Sequence, residues 1–376
     1  MSYDVIIVGA GSVGMAAGYY LAKAGKKTLL IDAHDPPHQF GSHHGDTRII
    51  RYAYGEGAEY VPLVLEAKQR WQELEHASHM RIFTETGVLN IGREGTAFMT
   101  ATIKSAAEFN LPVEVMTATE INERWPGLKL PFDMMGCYEP TAGVLSCETA
   151  ISAYRTLAES HGAFLLTNTE VTDLQVQPNG VSVKTANSTF TADALIISAG
   201  ARSTTLLDMV GVSLPLTPIR KTFAWFDAEE TYYNANHFPA FSFETNNGMF
   251  YGFPSMNQSG LKLGRHDGGE AIDPNKPLQP FGTTATDSSD LKKLLQHYFP
   301  FTHQLAYGKT CMYTQTPDET FIIDRHPQYA HVAIASGFSG HGFKFSSAVG
   351  KAMSDLVISG TTDCDLSPFR IDRFNS

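Results

Sequence analysis

The sequence predicts an α/β fold in which a parallel, helix-covered sheet is combined with an antiparallel sheet that has its own flanking helices. Two observations support this prediction. The first 32 residues read as strand, glycine-rich turn, helix and second strand in direct succession. Residues 215–316 instead show short segments in which apolar and polar side chains alternate, a pattern typical of antiparallel strands. With 376 residues and 43% hydrophobic content, the chain is long enough for two domains.

The N-terminal stretch carries the fingerprint of a Rossmann-like dinucleotide-binding domain. An apolar strand at 3–8 runs into GAGSVG at 9–14, and a helix at 15–24, a strand at 28–31 and an aspartate follow. The first glycine permits a tight turn, the second lets a pyrophosphate approach the backbone, and the third lets helix and strand pack closely. Unpaired N–H groups at the start of the helix attract the anion. The residues predicted to hold the dinucleotide here are Gly9, Gly11, Ser12, Val13, Gly14, Asp32 and Ala33.

The remaining pattern divides the chain into two discontinuous domains. Residues 1–80, 147–214 and 325–376 are assigned to the dinucleotide domain, and residues 81–146 and 215–324 to a substrate or catalytic domain. Helices are predicted at 59–74, 97–109, 118–124, 148–161, 290–298 and 345–358. Strands are predicted at 81–83, 87–91, 163–166, 170–177, 181–185, 192–198, 222–226, 238–244, 249–253, 261–265 and 331–335.

Composition and charge exclude several classes of partner. The net charge of −11 lacks the basic footprint that nucleic acids and anionic membranes require. The four cysteines show neither metal-ligand nor redox spacing, which favours a reducing compartment and no metal. No leader precedes the strand at residue 3, and no apolar run reaches membrane-spanning length. We therefore expect a cytoplasmic protein that acts on a small molecule.

The fingerprint alone does not separate NAD from FAD, but two absences favour FAD. The sequence has no second GxGxxG for a nicotinamide nucleotide and no closely spaced cysteine pair for a flavin-linked disulfide reductase. The strand at 192–198 also returns to Gly200, and a strand and helix near the C-terminus close the domain. Both features are common in FAD domains.

Three further segments resemble the family of monomeric sarcosine oxidase and N-methyltryptophan oxidase. They are GSHHGDTRIIR at 41–51 with AYGEG at 53–57, KTCMY at 309–313 with DETFIID at 318–324, and GFSGHGFKF at 337–345. The resemblance extends essentially from end to end. It implies FAD-dependent oxidation of secondary N-methyl amino acids by dioxygen, which yields the primary amino acid, formaldehyde and hydrogen peroxide. It also implies a monomer.

The resemblance changes the interpretation of Cys311. From the sequence alone, a single cysteine in a β-like segment is usually a small buried hydrophobic residue. The family's KxCxY segment implies instead a thioether from Cys311 to the 8-methyl carbon of the flavin, with assistance from His44 and Arg48. The further cofactor contacts that the resemblance implies are Ser42, His43, Ile49, Val171, Gly200, Met312, Gly340, Gly342, Phe343 and Lys344.

A cationic clamp is predicted for the substrate carboxylate. Arg48 and Arg51 lie three positions apart and share a face if the segment is helical. An arginine can bind a carboxylate through two parallel hydrogen bonds, although two solvated arginines are an equally simple interpretation of the spacing. The resemblance assigns the carboxylate to Arg51 and Lys344, and places Arg48 beside the flavin ring.

The other implied site residues lie in the antiparallel region. Lys262 alternates with two leucines, so a solvent-facing lysine would be the ordinary interpretation, but GLKLG resembles the family segment that activates dioxygen. His266 is a candidate for setting the protonation state of the substrate amine. Tyr251 and Tyr313 match positions of the substrate pocket, although tyrosines on strands are more often packing residues.

The sequence leaves the substrate open. Ser242 stands where sarcosine-specific members are bulkier, and IRKTFAW at 219–225 is more similar to the N-methyltryptophan branch. GLKLG, RWPG and KTCMYT are more similar to the sarcosine branch. We therefore predict N-methyl-L-tryptophan with only a slight preference over sarcosine. A flavin oxidase of other primary or cyclic amino acids, a nicotinamide-dependent dehydrogenase and a non-catalytic dinucleotide-binding protein remain alternatives.

Overall fold

The computed structural model describes residues 2–374. Its helices are α1 (Ser12–Lys23), α2 (Tyr60–Ser78), α3 (Ala97–Glu108), α4 (Ala118–Arg124), α5 (Cys147–Ser160), α6 (Ser203–Met209), α7 (Glu230–Tyr233), α8 (Thr286–Tyr298) and α9 (Ser346–Ser359). Its strands are β1 (Ser2–Val8), β2 (Thr28–Ile31), β3 (Thr47–Ile50), β4 (Phe83–Thr84), β5 (Val88–Arg93), β6 (Glu114–Thr117), β7 (Met134–Glu139), β8 (Gly143–Ser146), β9 (Phe164–Leu166), β10 (Val171–Gln177), β11 (Gly180–Thr185), β12 (Thr189–Ile197), β13 (Thr217–Ala228), β14 (Ala240–Thr245), β15 (Gly248–Phe253), β16 (Leu261–Arg265), β17 (Glu270–Ala271), β18 (Thr302–Gln315), β19 (Ile322–Arg325) and β20 (Val332–Ser336).

The first sheet has eight strands, with β1 at its parallel centre. Its order is β10-β11-β12-β1-β2-β9, with β20 beside the end of β12 and β19 beside β20. β1 pairs in parallel with β2 and β12, and β20 pairs in parallel with β12. Val5 and Ile7 pack into a core with α1, α5 and α9, whereas Ile6 and Val8 pack into a second core with α6. Burial on both faces explains why the strand sequence is continuously apolar.

The second sheet has nine strands, and its two faces have different roles. Its order is β17-β13-β16-β15-β14-β5-β7-β6, with β18 along the free side of β13. On one face, apolar residues of β5, β14 and β16 pack against α4 and α8. The alternate residues of the same strands project from the other face, because side chains alternate along a strand. That second face lies toward the first sheet and carries the candidate site.

The α/β fold class predicted from the sequence is confirmed. The family resemblance and the mixed parallel and antiparallel sheets agree, and most predicted helices and strands lie within a few residues of the observed ones. The proposed division into domains remains a proposal. Its boundary after residue 324 would cut β19, which pairs with β20 in the first sheet.

The condition under which Arg48 and Arg51 would share a helical face is not met. Arg48 and Arg51 do not share a helix, because residues 47–50 form β3, which pairs with β8 in a small three-stranded sheet with β4. Along a strand, a spacing of three would place the two side chains on opposite faces. Arg51 lies just beyond the end of β3, and the chain turns there.

No helix among residues 2–374 is both long and apolar enough to cross a membrane.

Candidate functional site

A cleft of about 230 Å³ lies at the carboxyl ends of the parallel strands. Its walls include the residues that follow β1, β2 and β12, which is where ligands bind in open α/β sheets. Gly9 has a φ of +92°, and a Cβ on Gly14 would collide with the carbonyl oxygen of Gly9. Helix α1 begins at Ser12 without a side-chain cap. Its first N–H groups are therefore directed toward an anionic ligand.

Asp32 is held in place at the end of β2. Its carboxylate accepts hydrogen bonds from Ala10 N at 2.7 Å and from His34 N at 2.9 Å, and it lies 3.3 Å from His38 Nε2. Burial alone would raise the pKa of Asp32, but the hydrogen bonds from His38, His34 and Ala10 outweigh it and lower the pKa. The group is therefore an anion that can accept a hydrogen bond from a ribose hydroxyl.

Most of the predicted dinucleotide contacts line this cleft. The predicted residues along its wall are Gly9, Gly11, Ser12, Val13, Asp32, Ala33, Ser42, His43, Arg48, Val171, Gly200, Met312, Gly340, Gly342 and Phe343. Five predicted residues do not line it. Gly14 is packed inside the turn, His44 lies 3.8 Å from Glu148, and Ile49 and Lys344 line a neighbouring cavity. Cys311 is buried and lines neither cavity.

The neighbouring cavity, of about 70 Å³, contains the predicted substrate residues. Arg51, Lys344, Tyr251, Tyr313, Ser242 and His266 all line it, together with Arg48. The cavity and the dinucleotide cleft share four wall residues, which are Arg48, Tyr313, Gly340 and Phe343. A ligand group at the inner end of the cleft would therefore face a molecule in the small cavity.

Arg51 is paired with a carboxylate that the sequence interpretation did not assign. Its guanidinium lies 2.6 Å from both carboxylate oxygens of Glu56 and donates to Ala53 O at 3.1 Å. Burial would raise the pKa of Glu56, but the charges of Arg51, His341 and Lys344 hold that pKa at about 2. Glu56 is thus an internal anion in the position where a substrate carboxylate would compete for Arg51.

Lys344 is also buried in the wall of this cavity. Its ammonium group donates to Tyr54 Oη at 3.2 Å and to His341 O at 3.0 Å, and Tyr54 Oη lies 2.7 Å from His341 Nδ1. Burial and the nearby charge of Arg51 lower the pKa of Lys344 to about 7, although Glu56 acts in the other direction. A second anion in the cavity would favour the charged form of Lys344.

His266 lies in the wall as a neutral ring. Burial, followed by the charges of Lys221, Lys344 and Arg51, lowers its pKa to about 4, even though Glu56 opposes the shift. The ring centroid lies 5.8 Å from that of Tyr313. Neutral imidazole has a nitrogen that can accept a hydrogen bond. His266 can therefore accept a hydrogen bond from an amine at neutral pH.

The Lys262 side chain packs against the chain segment that leads into β3. Its ammonium group donates to Gly45 O, to Thr47 Oγ1 at 2.9 Å and to Thr47 O at 3.2 Å. It is only 3% exposed, so the ordinary expectation of a solvent-facing strand lysine is wrong. The rings of Phe223, Trp225 and Phe253 surround it at 4.5–5.2 Å. Burial and the charge of Arg48 lower its pKa to about 7.

Cys311 projects from the site face of the second sheet. Lys221, Phe223 and Trp225 alternate along β13, and Cys311 is the register partner of Lys221. Tyr313, two residues further along β18, lines both cavities. Burial raises the pKa of the Cys311 thiol, although Arg48, Lys221 and Lys262 all act to lower it. This is a buried thiol close to three cationic side chains.

The residues of the cleft fit a flavin adenine dinucleotide in their chemistry. The uncapped start of α1 suits a pyrophosphate, and Asp32 suits a ribose. The cleft also includes Met312 and the four residues, Arg48 among them, that it shares with the substrate cavity. Among residues 2–374 no cluster of three or more potential metal ligands occurs.

Several wall residues were not assigned from the sequence. Glu56 and His341 lie inside quoted motifs, but only the folded loop shows that they meet Arg51 and Lys344. The others in the substrate cavity are Met249, Phe250 and Phe253, and those at the Asp32 end of the cleft are His34, His38 and Phe40. The proline- and histidine-rich composition of residues 34–45 indicated a loop but not its contacts.

The fold and the paired cavities define a dinucleotide-dependent oxidoreductase, and comparison with known proteins identifies its family. Residues 4–356 match the FAD dependent oxidoreductase family. The chain is 51% identical to monomeric sarcosine oxidase of Bacillus sp. (strain B-0618) over 374 residues, which is 99% of this chain and 96% of the relative. It is 42% identical to N-methyl-L-tryptophan oxidase of Salmonella enteritidis PT4 (strain P125109) over 376 residues, which is the whole of both chains. The chain therefore belongs to the FAD-dependent oxidoreductases that include these two enzymes.

Solved structures show the same fold at lower identity. NikD, an unusual amino acid oxidase essential for nikkomycin biosynthesis, superposes with a TM-score of 0.87 at 24% identity, over 98% of this chain and 97% of NikD. The L-proline dehydrogenase of P. horikoshii superposes with a TM-score of 0.85 at 22% identity, over 100% of this chain and 98% of that chain.

Proposed function

We propose that this enzyme oxidises N-methyl amino acids with FAD and dioxygen. The reaction converts one secondary amine, one dioxygen and one water into the primary amino acid, formaldehyde and hydrogen peroxide. The observation that carries the proposal is the small cavity in which Arg51 and Lys344 lie beside His266, at the inner end of the dinucleotide cleft. Oxidases of this substrate class are the full-length relatives named above.

The charges in the cavity support recognition of a carboxylate. Arg48, Arg51 and Lys344 provide three basic side chains, and Glu56 is the single carboxylate among the lining residues. A substrate carboxylate would replace Glu56 as a partner of Arg51 and would add a partner for Lys344. A charge-assisted hydrogen bond contributes about 1.5–3 kcal/mol. The clamp therefore favours amino acids over simple amines.

The neutral ring of His266 supports oxidation of the amine. A protonated amine has no lone pair to release when its C–H bond breaks, so the enzyme must hold the amine neutral. With a pKa of about 4, His266 is deprotonated at neutral pH and can accept a hydrogen bond from the substrate nitrogen. The cations of the clamp also disfavour a second positive charge close by.

The cofactor supplies the redox chemistry, since FAD accepts two electrons from the substrate and transfers them to dioxygen. The residues that would hold FAD are those of the cleft, with α1 at the pyrophosphate and Asp32 at the ribose. We further propose that FAD is attached covalently to Cys311 at the 8-methyl carbon. The position of Cys311, two residues from Tyr313 and on the same face of β18, supports this attachment.

Lys262 is the proposed group for oxygen activation. A fixed cation stabilises negative charge that develops on dioxygen as it is reduced, and the effect is largest in a site without water. Lys262 lies among three aromatic rings and donates to Gly45 and to Thr47, the residue before Arg48. These contacts support a buried cation near the shared wall of the two cavities.

Two substrates are the principal candidates. The small side chain of Ser242 in the cavity wall supports the predicted slight preference for N-methyl-L-tryptophan, because it leaves room beside the substrate α-carbon. The cavity volume of about 70 Å³ and the 51% identity to monomeric sarcosine oxidase support sarcosine.

The test is product analysis with the purified protein. Sarcosine, N-methyl-L-alanine and N-methyl-L-tryptophan are supplied one at a time, and formaldehyde and hydrogen peroxide are measured. The proposal predicts one formaldehyde and one peroxide for each substrate oxidised. Release of ammonia from primary amino acids, without formaldehyde from any N-methyl substrate, would contradict it.

A further inference from the structure

The chain makes a detour out of the second sheet between β16 and β17, and His266 lies on this detour. Two residues of β13, 221–222, face five residues of the neighbouring chain, 265–269. The ladder pairs on either side are Phe223 with Gly264 and Arg220 with Glu270. The extra residues cannot all pair with β13, so some of their carbonyl groups need another hydrogen-bond partner.

Lys221 of β13 is that partner. Its side chain is 4% exposed, and its ammonium group donates to three consecutive carbonyl oxygens, at 2.9 Å to His266, 2.6 Å to Asp267 and 3.0 Å to Gly268. An ammonium group has three N–H donors, so this segment uses all of them. Burial lowers the pKa of Lys221 to about 8, although the charge of Asp267 acts in the other direction. The group is therefore charged at neutral pH.

The same ammonium group lies behind two residues of the substrate cavity. His266 and Tyr313 line that cavity, whereas Lys221 lines neither cavity. The Nζ atom of Lys221 lies 5.3 Å from the ring centroid of Tyr313, which lies 5.8 Å from that of His266. Burial is the main cause of the low pKa of His266, and the charge of Lys221 adds to it. The other charged groups that affect this pKa are Glu56, Lys344 and Arg51.

We propose that Lys221 is a positioning residue for amine oxidation, because its ammonium group holds residues 266–268 and so fixes the His266 ring in the cavity wall with a positive charge behind it. The inference rests on the proposed function, in which His266 accepts a hydrogen bond from the substrate amine. That bond requires the ring nitrogen to face the amine, and a small displacement of such a group is costly in rate.

The alternative is a lysine that only stabilises the fold. Its replacement would then lower the melting temperature, but the folded enzyme would keep its rate. Any loss of rate would also be the same whether or not His266 is present, because residues that act independently have additive effects on the free energy.

The test is a double-mutant cycle between Lys221 and His266. Lys221→Met should lower kcat/KM for N-methyl amino acids by about tenfold or more, because the ring is no longer held. In the His266→Asn background the same substitution should change kcat/KM by less than about twofold, since Lys221 acts through His266. Acetate should bind Lys221→Met about as tightly as the wild type, because its proposed partners are Arg51 and Lys344.

A second readout does not depend on turnover. NMR of protein with isotope-labelled histidine follows the protonation of the His266 ring, and the spectrum of His266→Asn assigns its signal. Lys221→Met and Lys221→Gln both remove the positive charge, so the pKa of His266 should rise in each. Lys221→Arg keeps a cation with N–H donors, and it should retain the low pKa of His266 and recover part of the rate.

A matched control is Arg220→Met. Arg220, the residue before Lys221, is a buried cation on the opposite face of β13. Its hydrogen-bond partners are Gln279 O, Pro280 O and the carboxylate of Asp287. This variant should lower the melting temperature and leave the pKa of His266 unchanged. Bound flavin and melting temperature are measured for every variant, so that a folding defect is recognised.

The inference is overturned if folded Lys221→Met keeps the wild-type kcat/KM, or if its loss is equal in the two His266 backgrounds. Where Lys221→Met does not fold, an unchanged pKa of His266 in Lys221→Gln overturns it. If the wild-type enzyme oxidises no N-methyl amino acid, the proposed function fails instead, and the NMR titration still decides whether Lys221 acts on His266.

Discussion

At the residue scale, Arg51 is the proposed partner of the substrate carboxylate, and Glu56 holds its guanidinium in the folded protein. A buried guanidinium without a partner would be costly, and Glu56 satisfies it with two oxygens at 2.6 Å. Glu56 follows Arg51 by only five residues, so its pairing depends on the loop between them. In the proposed complex, a substrate carboxylate would replace Glu56 as the partner of Arg51.

The pKa of Lys344 leads us to predict that ligand binding is coupled to proton uptake. Its pKa of about 7 in the free protein means that the amine loses its proton as the pH rises through 7. A bound carboxylate favours the charged form and raises that pKa. Acetate binding should therefore take up protons at pH about 8 and weaken by up to about tenfold per pH unit above 7.

Calorimetric titration in buffers with different ionisation enthalpies measures this proton uptake. Lys344→Met should abolish it, and Lys262→Met, which removes the other lysine with a pKa of about 7, should not. Proton release on binding, or affinity that is independent of pH above 7, would refute the coupling.

If Lys262 activates dioxygen, its replacement should affect reoxidation by dioxygen but not reduction by substrate. Lys262→Met should leave anaerobic reduction by substrate largely intact and slow reoxidation by orders of magnitude, since the cation acts on charge that develops on dioxygen. In the wild type, reoxidation should slow as the pH rises above about 7, because the lysine is then neutral. Stopped-flow absorbance measures both rates, and equal loss in both half-reactions would argue against this role.

Cys311 predicts that the flavin colour stays with denatured protein. The pellet from acid precipitation should be yellow for the wild type and colourless for Cys311→Ala, because only a covalent bond survives unfolding. Cys147→Ala is the matched control, since this second cysteine is also buried near Arg48 and its pKa is raised to about 12, chiefly by burial. A colourless wild-type pellet would rule out the attachment.

At the scale of elements, the core residues and the site residues of the second sheet lie on its opposite faces. Leu261 and Leu263 pack into the apolar core, whereas Lys262 between them faces the site. The same alternation places Phe241 and Phe243 in the core and Ser242 in the cavity wall. A single strand therefore carries both functions, because its side chains alternate.

Glu139 of β7 is predicted to position Arg51, one of the two residues of the carboxylate clamp. This fully buried carboxylate at the end of β7 accepts hydrogen bonds from Tyr52 N and Ala53 N, directly after Arg51. Glu139→Gln should lower stability by about 1–3 kcal/mol and raise KM for N-methyl amino acids, since one amide oxygen replaces the carboxylate. Thermal melts and steady-state kinetics measure these effects.

Glu85→Gln, at an exposed position, is the control. Unchanged melting temperature and KM in Glu139→Gln would show that this anchor does not matter.

The sequence predicted elements well where one periodicity dominates. β2, α4 and β16 have the predicted bounds, because each is a short run with clear signals at both ends. β3 was not predicted, since Thr47–Ile50 contains an arginine and pairs with the distant β8. β18 was recognised only as β-like around Cys311, and its fourteen residues become one strand because β13 pairs along them.

At the scale of the whole molecule, the site exists only where two sheets meet. The cleft lies chiefly at the first sheet, the cavity wall combines strands of the second sheet with the turn before α9, and Arg51 lies on the chain after β3. The family motifs therefore predicted most of the side chains in the site, although they are separated by hundreds of residues. The partners Glu56 and His341 depend on tertiary packing that local sequence patterns do not encode.

The most direct test of the account is anaerobic mixing of the purified protein with N-methyl amino acids while its visible flavin absorbance is followed. Sarcosine or N-methyl-L-tryptophan should bleach that absorbance, and admission of air should restore it as peroxide forms. A protein without flavin absorbance, or one that stays yellow with every N-methyl amino acid and is bleached only by primary or cyclic amino acids, would contradict the account.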